Sequence, residues 1–166
     1  DDTTKFSGAR RPCYLAAVAI DRAPGDLQLD PVQGDGHTLS EWLTTFQMAV
    51  VALDPFTHES AWILETAGKM LQHYRGADCR VAWLVTGTDA EAKRFLGPWA
   101  NEVLTFADPD RKAVEALGLE RLPAFLHIRG DGTVVGASEG WDPEQWRAIT
   151  VELSRQMSWS SRPCRA

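Results

Sequence analysis

The sequence predicts an α/β domain: a central mixed, mostly parallel β-sheet with helices on both faces, preceded by an N-terminal β extension. Three observations carry this. The runs "MAVVALD" (48–54) and "RVAWLVTG" (80–87) have strand length and almost no polar residue, as strands buried on both faces do. They alternate with stretches of helical period that open on capping signals. The chain then closes with two strand-like runs around "RGDGT" (129–133) and a final helix, so a hairpin adds an antiparallel edge.

In chain order, residues 1–12 are polar and read as a frayed end, and "CYLAAVAID" (13–21) is an apolar run of strand length. "APGDLQLDPVQGDG" (23–36) is full of turn residues and reads as a loop or short hairpin. Thr38 and Glu41 form a capping-box pattern that predicts a helix over 39–46. After the 48–54 strand, "SAWILETAGKMLQHY" places Trp62, Ile63, Ala67, Met70, Leu71 and Tyr74 at helical spacing. Thr88 with Glu91 opens "DAEAKRFL", which Gly97-Pro98 ends. "EVLTFA" (102–107) is a short strand. In "DPDRKAVEALGL" Asp108 is the expected N-cap, with Pro109 in the first helical position and Gly118 at the end. "PAFLHI" (123–128) and "VVGASEG" (134–140) are the hairpin strands, and Asp142-Pro143 with Gln145 starts the last helix. The organisation expected is an extension with one strand (1–34), a single α/β domain (35–157) and a short tail (158–166).

Composition narrows the function classes. With 44% hydrophobic residues the chain can build a core, and its formal net charge of −6 comes without any Lys/Arg cluster of the nucleic-acid-binding kind. No apolar run approaches the ~20 residues of a membrane helix. Cys13, Cys79 and Cys164 are far apart, and there is no Cys-x-x-Cys or zinc-type Cys/His spacing. Such sparse, odd cysteine usage points to a reducing, cytoplasmic setting. Cys79 opens the apolar strand "CRVAWLVTG" and reads as a buried, inert thiol; Cys13 and Cys164 are the cysteines expected at the surface.

The stretches "VVALDPFTHES" (50–60) and "DPDRKAVEALGLERLPAFLHIRGDGTVVG" (108–136), with the closing helix, resemble the thioredoxin-like superfamily, in particular its TlpA and peroxiredoxin-like branch, a bacterial type. The resemblance covers about residues 35–157. It implies that Pro123, preceded by Leu122, is the cis proline that faces the family's reactive site. It also places the reactive motif, Trp-Cys-Gly-Pro-Cys in the family, on Phe56, Thr57, His58, Glu59 and Ser60. Both cysteines are absent there, leaving Thr57-x-x-Ser60, and the peroxiredoxin pattern Phe-Thr-x-x-Cys is matched at Phe56 and Thr57 with Ser60 in place of the cysteine.

Thiol–disulfide exchange needs a thiolate, and a Ser or Thr hydroxyl stays protonated near neutral pH. Redox chemistry at this position is therefore not expected. A hydrolase built on Ser60 would need a base facing it, and His58 lies two residues away, off that face. His58 and Glu59 lack a third metal ligand in the sequence. A glutathione-handling site is better motivated, since some thioredoxin-fold transferases place a hydroxyl at this helix start, but they carry a further helical domain.

The structural expectations at the same residues are plain. Thr57 suits a helix N-cap that accepts from first-turn amides, and Glu59 favours the helix dipole. His58 reads as solvated, His127 as partly buried and hydrogen-bonded, and His37 and His73 as surface residues. Ser60 has no structural role legible in the sequence. The reading that follows is a redox-inactive binding module with a groove formed by Phe56–Ser60 and by Leu122-Pro123. It needs no cofactor or metal. Its partner is an unidentified protein or peptide, a second copy of the chain among the candidates, and neither nucleic acid nor membrane. The competing reading is a thiol oxidoreductase or peroxiredoxin-like antioxidant protein that uses a displaced cysteine.

Overall fold

The computed structural model describes residues 21–74 and 79–161, the side chains of 156–161 excepted. Most of the strand expected over 13–21, and both Cys13 and Cys164, lie outside these residues. Seven strands and six helices follow in order: β1 (Gln28–Leu29), β2 (His37–Thr38), α1 (Leu39–Trp42), β3 (Gln47–Leu53), α2 (His58–Tyr74), β4 (Cys79–Val85), α3 (Asp89–Leu96), α4 (Trp99–Glu102), β5 (Leu104–Ala107), α5 (Lys112–Ala116), β6 (Ala124–Ile128), β7 (Val134–Glu139) and α6 (Pro143–Ser161). Among the described residues no helix is long and apolar enough to cross a membrane.

The main sheet has the order β5-β4-β3-β6-β7. β3 is central, parallel to β4 and antiparallel to β6. β5 runs parallel to β4, and β7 returns antiparallel to β6. β6 alone thus opposes the other four strands, which makes the sheet mixed and mostly parallel. The closing hairpin is not simply an added edge: its first strand lies beside the centre of the sheet.

Period-two alternation divides the core in two. On one face Met48, Val50, Ala52, Ala82, Leu84, Phe106, Leu126 and Ile128 pack under α1, α5 and the chain before them. On the other, Ala49, Val51, Leu53, Trp83, Val85 and Phe125 pack under α2, α3 and α6. α2 turns Ile63, Ala67, Leu71 and Tyr74 inward at three- and four-residue spacing, and the Tyr74 hydroxyl reaches the Thr150 carbonyl (3.1 Å) and Ser154 Oγ (2.8 Å) of α6.

The turn-rich segment before β2 is ordered by both sheet edges. At one end the Ala23 amide donates to the Gly132 carbonyl (2.8 Å), and the Val134 amide to the Asp21 carbonyl (2.9 Å). At the other, Pro31 bridges to Phe106 of β5, and the Val32 amide donates to the Thr105 carbonyl (2.8 Å). Between them β1 and β2 form a two-residue antiparallel pair.

One helix end and one helix start differ from expectation. α1 stops at Trp42, not at 46, and only half of its capping box forms. The Glu41 amide donates to Thr38 Oγ1 (3.3 Å), but the Glu41 carboxylate turns to His37 Nδ1 (2.9 Å). α3 has the complete box. α5 begins at Lys112, not at Pro109, because residues 108–111 make a separate turn. Asp108 still caps it from a distance, its carboxylate accepting from the amides of Ala113 (3.2 Å) and Val114 (3.0 Å).

Candidate functional site

β3 ends at Leu53, and the chain turns at Asp54-Pro55-Phe56 into α2. Asp54 makes that turn: its Oδ1 accepts from the Phe56 amide (2.9 Å), and its backbone carbonyl accepts from the Thr57 amide (3.2 Å). Asp54 Oδ2 also lies 3.5 Å from Arg111, whose backbone adopts a left-handed conformation (φ 59°) just before α5.

Thr57 and Ser60 form a closed hydroxyl pair. Ser60 is fully buried, and its Oγ accepts from the Asp54 amide at 3.0 Å. Thr57 Oγ1 lies 3.0 Å from Ser60 Oγ and 3.2 Å from the Asp54 carbonyl, so its single proton serves one or the other. Thr57 therefore turns back onto the strand end, where the sequence suggested a cap accepting from first-turn amides. Ser60 acquires the role the sequence did not show: it satisfies a backbone donor between a buried strand and its helix, where an unmet amide is costly. His58, Glu59 and Phe56 point to solvent, Phe56 with 72% of its surface exposed.

The second half of the predicted groove comes from the hairpin. The Leu122–Pro123 peptide is cis, as the resemblance implies. Since Ala52 pairs with Ala124, the same register sets Pro123 opposite Leu53, one residue before the Asp54 turn. The fold thus brings Phe56–Ser60 and Leu122-Pro123 to one end of neighbouring strands. The loop before Pro123 is held by Glu139, whose carboxylate accepts from the amides of Glu120 and Arg121 (2.9 Å to the latter). The Pro123 carbonyl accepts from the Gly140 amide (2.7 Å). Among the described residues no partner takes the Leu122 amide or carbonyl. Leu122 itself is half-buried.

That arrangement is a parallel β-α-β unit followed by a β-hairpin, with a cis proline at its strand start, beside the end of β3 that leads into α2. The chain has the thioredoxin-like fold. It is similar in structure to a protein described as a thiol:disulfide interchange protein DsbE from Chlorobium tepidum (16% identity, TM-score 0.69, 84% of this chain and 99% of that one). It is likewise similar to a protein described as a disulfide isomerase from Bacteroides thetaiotaomicron (14%, TM-score 0.72, 85% and 91%) and to peroxiredoxin Q of Xanthomonas campestris (16%, TM-score 0.66, 84% and 98%). No family model matches the sequence, and no curated protein matches it.

Within this thioredoxin-like fold the one described cysteine is far from the site. Cys79 lies opposite Gln47, at the start of β3, and six residues of extended strand, roughly 20 Å, separate that point from Leu53. It is buried, and burial pushes its pKa up to about 12, so it is a thiol and not a thiolate near neutrality. At the same end of the sheet His127 is fully buried, where the sequence suggested partial burial. It lies 2.6 Å from Gln47 Oε1 through Nε2. No group of three potential metal-binding side chains occurs among the described residues.

Three contributors escaped the sequence reading: Arg111 beside Asp54, Glu139 under the proline loop, and the Asp54 turn itself. Asp54-Pro55 is a strand-ending pair of turn residues, but nothing local to Arg111 or Glu139 marks the residue each one reaches.

Proposed function

We propose that the protein is a thioredoxin-fold binding module without thiol chemistry at the family's reactive position. The observation that carries this reading is the hydroxyl pair. Thr57 and Ser60, which the sequence resemblance aligns with the family's cysteines, are engaged with each other and with the strand end, and Ser60 is sealed from solvent. The ligand is a protein segment in extended conformation. It would add main-chain hydrogen bonds at Leu122 and lay side chains against the exposed Phe56.

A second reading keeps the oxidoreductase class of the structural neighbours and moves the chemistry to Cys13 or Cys164. Insulin reduction and peroxide consumption, each measured against uncatalysed background, separate the two. The binding-module reading expects no turnover above background from the full chain. Turnover that disappears in Cys13→Ser or Cys164→Ser overturns it.

A further inference from the structure

Among the described residues β5 and β7 are the outer strands of the main sheet, and they are covered unequally. β5 has Pro31 and Val32 laid against it. β7 has an outer partner only at its start. There Arg22 bridges antiparallel to Thr133, flanked by the bonds from the Ala23 amide to the Gly132 carbonyl (2.8 Å) and from the Val134 amide to the Asp21 carbonyl (2.9 Å). Beyond Val134 no described residue pairs with the outer side of β7.

The ladder fixes which groups stand open. The Gly140 amide donates to the Pro123 carbonyl, and Ser138 lies opposite Phe125. By alternation Gly136 and Ser138 turn their amides to β6, and Ala137 and Glu139 turn theirs outward. Residues 134–138 include neither a charge nor a proline, the usual means of blunting an open strand. Only the register shift opposite His127 and Ile128 interrupts them.

We propose that the outer side of β7 is the docking surface for this chain's own residues 14–20, "YLAAVAI", which add a further antiparallel strand. The pairing has already begun at Arg22, and from there the chain read backwards runs forwards along β7. All seven residues are apolar, and they lie between Pro12 and Asp21. Extended, they measure roughly 23 Å, against roughly 20 Å from Val134 to Gly140. The tether at Arg22 makes the docking intramolecular, whereas a second copy would give up its overall translational and rotational freedom to occupy the same edge. The direction has a consequence for the site. Antiparallel to β7, the segment brings Cys13 to the Gly140 end of the sheet, two strand spacings or roughly 10 Å from Pro123.

The test is nuclear magnetic resonance on the full chain. Cross-strand NOEs are expected between residues 14–20 and residues 135–140. The Ala137 and Glu139 amides should exchange at least about a hundredfold more slowly than in the unfolded chain, independently of protein concentration. The double variant Ala17→Pro/Val18→Pro replaces two successive residues, so in either register one of them loses an amide directed at β7. It should lose the NOEs and the protection at Ala137 and Glu139, while Val50 and Val51 of β3 stay protected. Absence of the NOEs from the natural chain, free exchange of the outward amides, or protection that the proline variant retains overturns the proposal. Protection that falls on dilution assigns the edge to a second copy and overturns it as well. The NOEs of the natural chain decide the matter even where the proline variant fails to fold.

Discussion

The two ends of β3 both bring polar groups into the core, and they satisfy them differently. At the C-terminal end Asp54, Thr57 and Ser60 bond to one another and to backbone within a span of seven residues. At the N-terminal end Gln47 meets His127 from a strand 80 residues away. There His127 Nδ1 and the nearby strand's Arg80 Nε are buried without a partner among the described residues. The first end is a local turn that would form its bonds in most surroundings. The second exists only when the sheet is assembled, and its side chains bear the cost of burial.

The largest expected effect breaks the second end. Burial, the main cause, pushes the His127 pKa down from 6.5 to about 4; Glu152 acts against this and Arg129 adds to it. The folded state thus holds His127 neutral where the unfolded chain takes up a proton. The stability term is complete above pH 6.5 and is lost as pH falls through the window down to about 4. Its full size is up to about 3 kcal/mol. Urea midpoints measured across that window should fall for the natural chain. A His127→Gln variant, neutral throughout, should give a flatter profile, and equal slopes would show that the histidine is not buried as described.

The first end should yield less. Ser60→Ala removes the acceptor of the part-buried Asp54 amide and should lower stability by about 1–2 kcal/mol, read from chemical denaturation. A sharper probe of the same site is chemical. Because Thr57 Oγ1 and Ser60 Oγ stand 3.0 Å apart, the double variant Thr57→Cys/Ser60→Cys should close an intramolecular disulfide under mild oxidation. Thiol titration that still finds both new cysteines free would mean that these positions do not match the family's reactive frame. The smallest effect belongs to Arg111. Arg111→Gly relieves a left-handed backbone worth about 1 kcal/mol, and loses a long (3.5 Å), half-exposed ion pair to Asp54 of similar or smaller worth. The net change should be within about 1 kcal/mol and on the stabilising side.

The same contrast explains what the sequence disclosed. β3 and β4 were legible because burial on both faces leaves a continuous apolar run, and α2 because its inward residues keep helical spacing. Pro123 was placed through the run of residues around it. The late start of α5 was not legible, since Asp108 caps it across an intervening turn and the local pattern fits an earlier start equally well. Nor was α4, only four residues long and directly behind a Gly-Pro stop. The role of Ser60 depends on the direction of one hydroxyl, and those of Arg111 and Glu139 on partners 57 and about 19 residues away. Sequence periodicity reports which face a residue takes, not which atom it touches.

The segment from Asp21 to Val32 has a consequence for how the protein behaves in company. Among the described residues β5 and β7 are the two margins of the sheet, and an uncovered margin is a row of free donors and acceptors that another chain can join. The same short segment bonds to the β6–β7 turn at one end and to β5 at the other, with Pro31 lying against β5. Proline has no amide to offer a further strand. One stretch of turn residues thus covers the β5 margin and ties down the start of β7, and its removal would unblock β5, giving self-association and not merely a softer fold.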